Sequence, residues 1–365
     1  MKRYSHLYEQ IIDYDNCRKA IIDASKHKRN KSYVIEVLEN IDYYTRDLQY
    51  RLVNHKFVSP YRNKIIEDGL SHKKRNIQIP KFYPDQCAHH ALINILEPII
   101  TKSSYYYSCA NIPKRGIDYC LKAMHRFTKN ESKAKYCAKL DIKHFYPSVD
   151  NNVLKKRLNE IIKDKKALNL IFTVIDTSKG LPIGNYTSPW FAEVLLQPMD
   201  NYIKQELKVP YYVRYADDLV LLSKNKRKLK NQMLKLITFV KDSLNLEINS
   251  NYQLFKIYNN GKGRRIDFVG KCFGIGHVTI RKRRALRIMK QSRVIQKMQE
   301  NDAEISYLMA SSFISRISVV NHCNCLSFKE KYVCSVNVKE LKRIISKHDK
   351  KTQKQICNLF GHLMV

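Results

Sequence analysis

An α+β fold, a sheet layer covered by helices, is what the sequence predicts, and three observations carry it. Residues 1 to about 58 place apolar side chains at helical spacing, and the last 85 or so do the same. Between about 136 and 275, short β-prone runs alternate with helical ones. No repeat, low-complexity tract or obvious linker interrupts that order.

The elements follow in turn. "SYVIEVLENIDYYTRDLQYRLVNH" is helical by its apolar spacing, "SHKKRNIQIPKF" is a basic β-like segment, and "QCAHHALINILEPII" is an apolar helix. His89 and His90 on that helix read as packing or surface residues rather than ligands. The cluster "SSYYYSC" at 103 to 109 suits either stacking on bases or a half-buried strand. "YCAKLDI", "PYYVRYADDLVLLS" and "RIDFVGKCFGIGHVTI" read as strands, with helices near 150 to 163, 189 to 206 and 228 to 244. In "AKLDIKHFYPSVD" an apolar strand ends in Asp141, and a turn with Pro147 leads to a helix capped by Asp150. In "IGNYTSPWFAEVLL", Gly184 permits close approach of the backbone to a ligand, Ser188 suits an N-cap and Pro189 the first helical turn. Trp190 reads as core.

Composition narrows the partner. Hydrophobic residues make up 44% of the 365, so the chain can bury a sizeable core. Lys plus Arg number 67 against 33 Asp plus Glu, a formal net charge of +34. Such an excess repels itself unless a polyanion neutralises it, which points to nucleic acid, with an anionic membrane surface as the alternative. No apolar run reaches the roughly 18 residues of a membrane span. The opening "MKRYSHLYEQIIDYDN" has no apolar signal core, so a soluble, intracellular protein is expected. The ten cysteines are scattered without framework spacing. "HCNC" at 322 to 325 has no second paired set at zinc-finger spacing, so buried thiols fit better than a metal clip.

The chemistry centres on "YYVRYADDLVLL", two β-prone runs with Asp217 and Asp218 at or near the turn between them. Asp favours turns, and that alone is one account. The other joins this hairpin to the strand ending in Asp141. If the two segments are neighbours, the carboxylates converge at one sheet edge and repel unless they bind divalent metal. Hard oxygen ligands select Mg²⁺ over zinc, and paired Mg²⁺ ions serve phosphoryl transfer.

"YADD" after "LDIKHFYPSVD" resembles the metal-binding core of the reverse transcriptases. Other blocks resemble that family in its order, from about residue 60 to 280. "KKRNIQIP" is similar to the fingers segment that holds the triphosphate, and "IPKRGIDYCLKAM" to the block before the first catalytic strand. "KGLPIGNYTSPW" is similar to the loop and helix beneath the nucleotide, and "IDFVGKCFG" to the primer-gripping hairpin. Among bacterial retroelement enzymes, "GLPIGN", "KVPYYVRYADDLVL" and the basic "IRKRRALRIMKQ" resemble those of diversity-generating elements and phage-defence systems. Ser188-Pro189 and Ala216 depart from the diversity-generating pattern, usually Ser-Gln and often Met, which leaves the biological role open. No mark of the retron type is seen, and no nuclease or RNase H domain is expected within these 365 residues.

The resemblance implies a right-hand polymerase, with N-terminal helices and fingers over 1–135, palm over 136–276 and basic helical thumb over 277–365. It implies a cytoplasmic RNA-directed DNA polymerase of a bacterial or phage retroelement or antiviral defence system, using two Mg²⁺ ions or Mn²⁺ in their place. Its partners would be an RNA template (dedicated non-coding or element-encoded), a DNA primer or cDNA product and dNTPs, with an accessory protein or second copy left open and no membrane. The alternatives are a palm enzyme that makes RNA or adds nucleotides without an external template, and a non-catalytic RNA-binding scaffold. By position, Asp141 and Asp217 resemble the metal-bridging carboxylates, with Asp218 a third and the Ile142 carbonyl a further ligand. Arg75 resembles the arginine on the triphosphate. Lys73 and Lys74 are nearby candidates, or part of a solvated basic face. Tyr146 falls at the gate against a ribose 2′-hydroxyl, with core packing as its other reading and the adjacent Phe145 able to exchange duties. Ile183 stands where retroviral enzymes carry Gln, beside Gly184, and either contacts the nucleotide or packs beneath the palm helix. Arg281, Arg283, Arg284 and Arg287 would hold the hybrid through its backbone; eight basic residues and no acidic one lie between Arg281 and Lys297.

Overall fold

The computed structural model describes residues 3–67 and 74–359. Lys73 lies outside the described residues, as does the side chain of His322. The chain forms two compact units, one of Met1–Cys120 with Ala138–Leu254, the other of Leu121–Cys137 with Phe255–Val365.

In the first unit, α1 (Tyr8–Ile12), α2 (Tyr14–Ser25), α3 (Ser32–Glu39) and α4 (Ile41–Val53) precede an antiparallel hairpin of β1 (Arg62–Glu67) and β2 (Lys74–Ile79). α5 (Cys87–Ser103) buries Ala88, Leu92, Ile93, Leu96 and Ile100, which is why its sequence is apolar almost all round. α6 (Ile117–Phe127) and β3 (Tyr136–Asp141) follow, both elements in which the chain passes between units. Next come α7 (Phe145–Ser148), α8 (Asn151–Ile161), α9 (Lys165–Ile175) and α10 (Ser188–Asn201). The Asp150 carboxylate accepts from the N–H groups of Asn152 (2.8 Å) and Val153 (3.4 Å), the cap expected for α8. Ser188 is not the N-cap of α10. The helix begins at Ser188, whose hydroxyl donates to the Pro182 carbonyl (2.7 Å) and so ties the preceding loop instead. Pro189 does sit in the first turn.

β4 (Tyr211–Tyr215) and β5 (Asp218–Ser223) form the expected hairpin, with Tyr215 opposite Asp218. Ala216 and Asp217 are its two-residue turn, and Ala216 takes φ +54°. α11 (Lys226–Leu244) and β6 (Gln253–Lys256) complete a four-stranded sheet of order β4-β5-β3-β6. The tyrosine cluster is a turn rather than a strand, bridging β4 only at Ser108 opposite Arg214. Its bonds Arg214 N to Tyr107 O (3.0 Å) and Cys109 N to Arg214 O (2.9 Å) cover the sheet edge that β4 would otherwise leave open.

The second unit holds the antiparallel sheet β7 (Ile266–Phe268), β8 (Lys271–Gly274) and β9 (His277–Ile280). Helices α12 (Lys282–Glu300), α13 (Tyr307–Ile317), α14 (Leu326–Lys329) and α15 (Val338–Leu359) follow. They share a core that includes Ile288, Ile295, Phe313, Val333 and Leu341. Among the described residues no helix is long and apolar enough to cross a membrane. Nine cysteines have described side chains, and all are free thiols. The Sγ of Cys325 faces the Cys323 carbonyl at 3.8 Å, and among the described residues no His, Cys, Asp and Glu side chains gather into a metal-holding trio.

Candidate active site

The sheet brings Asp141, the last residue of β3, beside the turn of the β4–β5 hairpin. The N–H of Ile142 donates to the Asp217 carbonyl (3.4 Å). Behind Asp141, Asn249 donates its main-chain N–H to the Asp141 carbonyl (2.8 Å) and its side-chain amide to Asp141 Oδ2 (3.3 Å). Burial pushes the Asp217 carboxyl above its ordinary range, and the charges of Asp218 and Asp141 push the same way. A backbone hydrogen bond and the Arg75 guanidinium pull against them. Among the described residues no Lys or Arg forms an ion pair with Asp141 or Asp217. A pair of neighbouring carboxylates without a cation fits a divalent ion. Mg²⁺ binds through one or two carboxylates, keeps several waters and takes further oxygens from substrate phosphates, so it needs no all-protein cage.

The turn is held from inside the sheet by a group the sequence reading passed over. Arg214 is 1% exposed. Its Nε and Nη2 donate to Asp200 Oδ1 (3.0 Å) and Oδ2 (2.6 Å), and Nη2 also reaches Glu193 Oε1 (2.9 Å). Nη1 donates to the Ala216 carbonyl at 3.2 Å. The remaining demand is met by hydroxyls: Tyr212 donates to Asp200 Oδ1 (2.7 Å) and Ser108 to Glu193 Oε2 (2.9 Å). Every oxygen of the two buried carboxylates therefore has a donor. The two acids outweigh desolvation and hold Arg214 in its charged form. A signal for this cluster was present in the sequence. Arg214 stands in an apolar strand, and Glu193 and Asp200 lie seven residues apart on one face of an otherwise apolar helix.

Two glycines bring further segments close. A Cβ on Gly184, at φ +142°, would lie 2.2 Å from the Gln78 carbonyl of β2. The N–H of Gln78 in turn donates to the Ile183 carbonyl (3.1 Å), so the foot of the β1–β2 hairpin rests on this loop. A Cβ on Gly180 would lie 2.8 Å from the Tyr146 carbonyl, which accepts from Leu181 N (2.9 Å). Of the two adjacent aromatics, Phe145 is buried. Tyr146 is half-buried and feels the Asp217 charge: desolvation first, then that carboxylate, push its phenol up to about 12.

The other expected site residues are distributed less uniformly. Lys74 and Arg75 are exposed on β2. Arg281 is ion-paired with Asp267, and Arg284 sits against Gly270, where an added Cβ would meet its Nη1 at 3.0 Å. Arg283 is exposed, and Arg287 lines a groove of about 530 Å³ with Lys290 and Arg316. His89 is buried and burial lowers its imidazole to about 3, while His90 stacks on Tyr186 at 3.8 Å; both are packing residues. Trp190 is buried, as expected of core.

Comparison with known proteins agrees with this geometry. The profile of the family described as reverse transcriptase (RNA-dependent DNA polymerase) matches residues 67–256. The retron Ec73 reverse transcriptase of Escherichia coli is 31% identical over 147 residues, 36% of this chain and 46% of the relative. A retron enzyme is thus among the relatives although no retron mark was seen in the sequence. The group II intron-encoded protein LtrA of Lactococcus lactis subsp. cremoris is 25% identical over 197 residues, 48% of this chain and 32% of the relative. The chain spans less than half the length of the curated relatives it matches. Among solved structures, telomerase from Candida tropicalis in complex with a TWJ fragment of telomeric RNA is similar in fold. Its TM-score is 0.50 at 12% identity, covering 86% of this chain and 58% of that one. The fold is that of the right-hand polymerases, as the sequence led us to expect.

Two outcomes test the electrostatics. Arg214→Ala leaves Asp200 and Glu193 as unpaired buried anions, so stability should fall by about 3–5 kcal/mol in denaturant titration. An unchanged midpoint would mean that the carboxylates do not need the guanidinium. Asp217 has a raised folded-state pKa, so its ionised form penalises the native state above the unfolded pKa. Asp217→Asn should therefore raise the melting temperature at neutral pH in chelator and abolish the further rise that Ca²⁺ or Mg²⁺ gives the parent. The family profile matches more than half of the chain, and on that ground the chain belongs to the reverse transcriptase family.

Proposed function

We propose that the chain is an RNA-directed DNA polymerase of a bacterial retroelement, extending a primer on an RNA template with dNTPs. The observation that carries this reading is the pair Asp141 and Asp217, adjacent, both half-buried and neither in an ion pair among the described residues. Such a pair serves a polyanionic substrate only when cations accompany it. Two bound Mg²⁺ ions would activate the primer 3′-hydroxyl and stabilise the leaving phosphate oxygen. Asp141, Asp217 and the Ile142 carbonyl would hold them, with Asp218 in support.

The other residues position the substrates. Arg75, whose charge acts on Asp217, would meet the triphosphate with a planar, always-charged fork, and Lys74 would add charge, as would Lys73, which lies outside the described residues. Ile183 and Gly184 form the floor on which the fingers hairpin rests, and Gly184 leaves room for that approach. Tyr146, which feels the Asp217 charge and is held through its carbonyl by Leu181, would be the side chain that excludes a 2′-hydroxyl, while Phe145 packs in the core. Exposed Arg283, more than the ion-paired Arg281 and the packed Arg284, would neutralise backbone phosphates, and Arg287 would add charge from its groove. Fingers, palm and thumb correspond in this reading to residues 1–135, 136–276 and 277–365.

Asp217→Asn preserves shape while removing a metal-site charge, so primer extension should fall by several orders of magnitude with RNA binding retained. Extension and gel-shift assays on one preparation decide, and near-normal extension would sink the assignment. Tyr146→Ala should admit ribonucleotides; parallel dNTP and rNTP kinetics with an unchanged discrimination ratio would remove Tyr146 as the gate.

A further inference from the structure

The hairpin that carries Arg75 gains little from burial. All six residues of β1 are exposed, and so are the first three of β2. A two-stranded hairpin on its own is marginal in water, so its seating depends on what grips its foot. β2 is held by Gln78, whose N–H donates to the Ile183 carbonyl (3.1 Å). The other strand has a grip of its own. Tyr61 immediately precedes β1, and its hydroxyl lies 2.8 Å from Asn185 Nδ2 and 2.6 Å from Thr177 Oγ1.

The protons of this chain run one way. Thr177 donates its hydroxyl proton to the Val174 carbonyl (2.7 Å), so Tyr61 donates to Thr177 and accepts from Asn185. Asn185 is 4% exposed, and its Oδ1 has no hydrogen-bond partner among the described residues. A buried amide with an unmet acceptor lowers stability, so what this side chain contributes is its bond to Tyr61. Asn185 also follows Ile183 and Gly184 in the loop that the polymerase reading places beneath the nucleotide. The two legs of the hairpin are tied to each other separately: Asp85 accepts from the N–H groups of Ser59 (2.6 Å) and Lys81 (2.9 Å). Loss of the Tyr61 hydroxyl therefore frees the foot from the loop without unpairing the strands.

We propose that Tyr61, Asn185 and Thr177 form a latch that seats the hairpin on the Ile183–Asn185 loop, and that its strength sets the affinity for the incoming nucleoside triphosphate. The second half rests on the polymerase reading. All three are positioning residues, acting on the phosphates only through Arg75. A hairpin seated in a smaller fraction of chains weakens apparent affinity by that fraction and leaves the bound substrate's rate alone. Tyr61→Phe keeps the ring and removes both bonds. In the full chain, amide exchange over Lys74–Ile79 should quicken about fivefold, with exchange over β4 and β5 and the melting temperature unchanged. On an RNA template, KM for dNTP should rise about fivefold, while kcat and affinity for the primer–template hybrid stay within about twofold of the parent. Thr177→Val, which spares the Asn185 bond, should give smaller changes in the same two quantities. An active enzyme whose KM does not move, or whose hybrid affinity falls equally, overturns the latch. Faster exchange in a protein that extends no primer keeps the latch and discards the polymerase reading; normal extension with unchanged exchange does the reverse.

Discussion

A guanidinium enclosed in the sheet is the constraint on which the site depends. An ionised Arg214 at 1% exposure is tolerable only with its partners in place, and they come from three places: α10, the tyrosine turn and the hairpin itself. Asp200 and Glu193 fix the register of α10 against β4. The fourth arm of the fork, on the Ala216 carbonyl, reaches the hairpin turn. There Ala216 takes a left-handed conformation that costs an L-residue roughly 1–2 kcal/mol. A charge-assisted hydrogen bond is of comparable size, about 1.5–3 kcal/mol. The buried cluster thus offsets strain in the residue that aims Asp217.

Two sets of acids in this unit behave differently. Asp200 and Glu193 have a donor on every oxygen and an opposite charge between them, which marks a structural role. Asp217 is half-buried, its neighbours include two more carboxylates, and a counter-charge that acts on it, Arg75, lies on a separate hairpin. Perturbation with incomplete internal compensation is the pattern expected of a working site. The fold invests in bringing other segments to it. Gly184 and Gly180 each accept a main-chain carbonyl at a distance no Cβ would permit.

Much of this was legible in the sequence because it is local. The hairpin, the Asp150 cap and the helices follow from alternation, periodicity and capping chemistry over a dozen residues or fewer. What escaped depends on long-range pairing. Ser188 carries a good capping side chain, but the Pro182 carbonyl, folded over it by the loop, takes the hydroxyl instead. The tyrosines at 105 to 107 suit a strand by propensity and become an edge cover, since the pairing partner available to them is β4. The Arg214 cluster joins positions 108, 193, 200 and 214, and the Tyr61 latch joins 61, 177 and 185; no window of sequence contains either.

The net charge of +34 gains meaning from this arrangement. A positive surface draws a polyanion by long-range field, which steers without selecting. At the hairpin turn that field meets a local negative centre that would repel the same polyanion. In the polymerase reading proposed above, the two are compatible if a divalent cation sits between phosphate and carboxylate, because the ion would reverse the sign that a phosphate meets at this turn. Arg75 adds positive charge from the β1–β2 hairpin, whose foot is seated by Gly184. Attraction at a distance and selectivity at contact are therefore carried by different residues. The basic residues can vary in position along the surface, whereas Asp141, Asp217 and the guanidinium behind the turn have no such latitude.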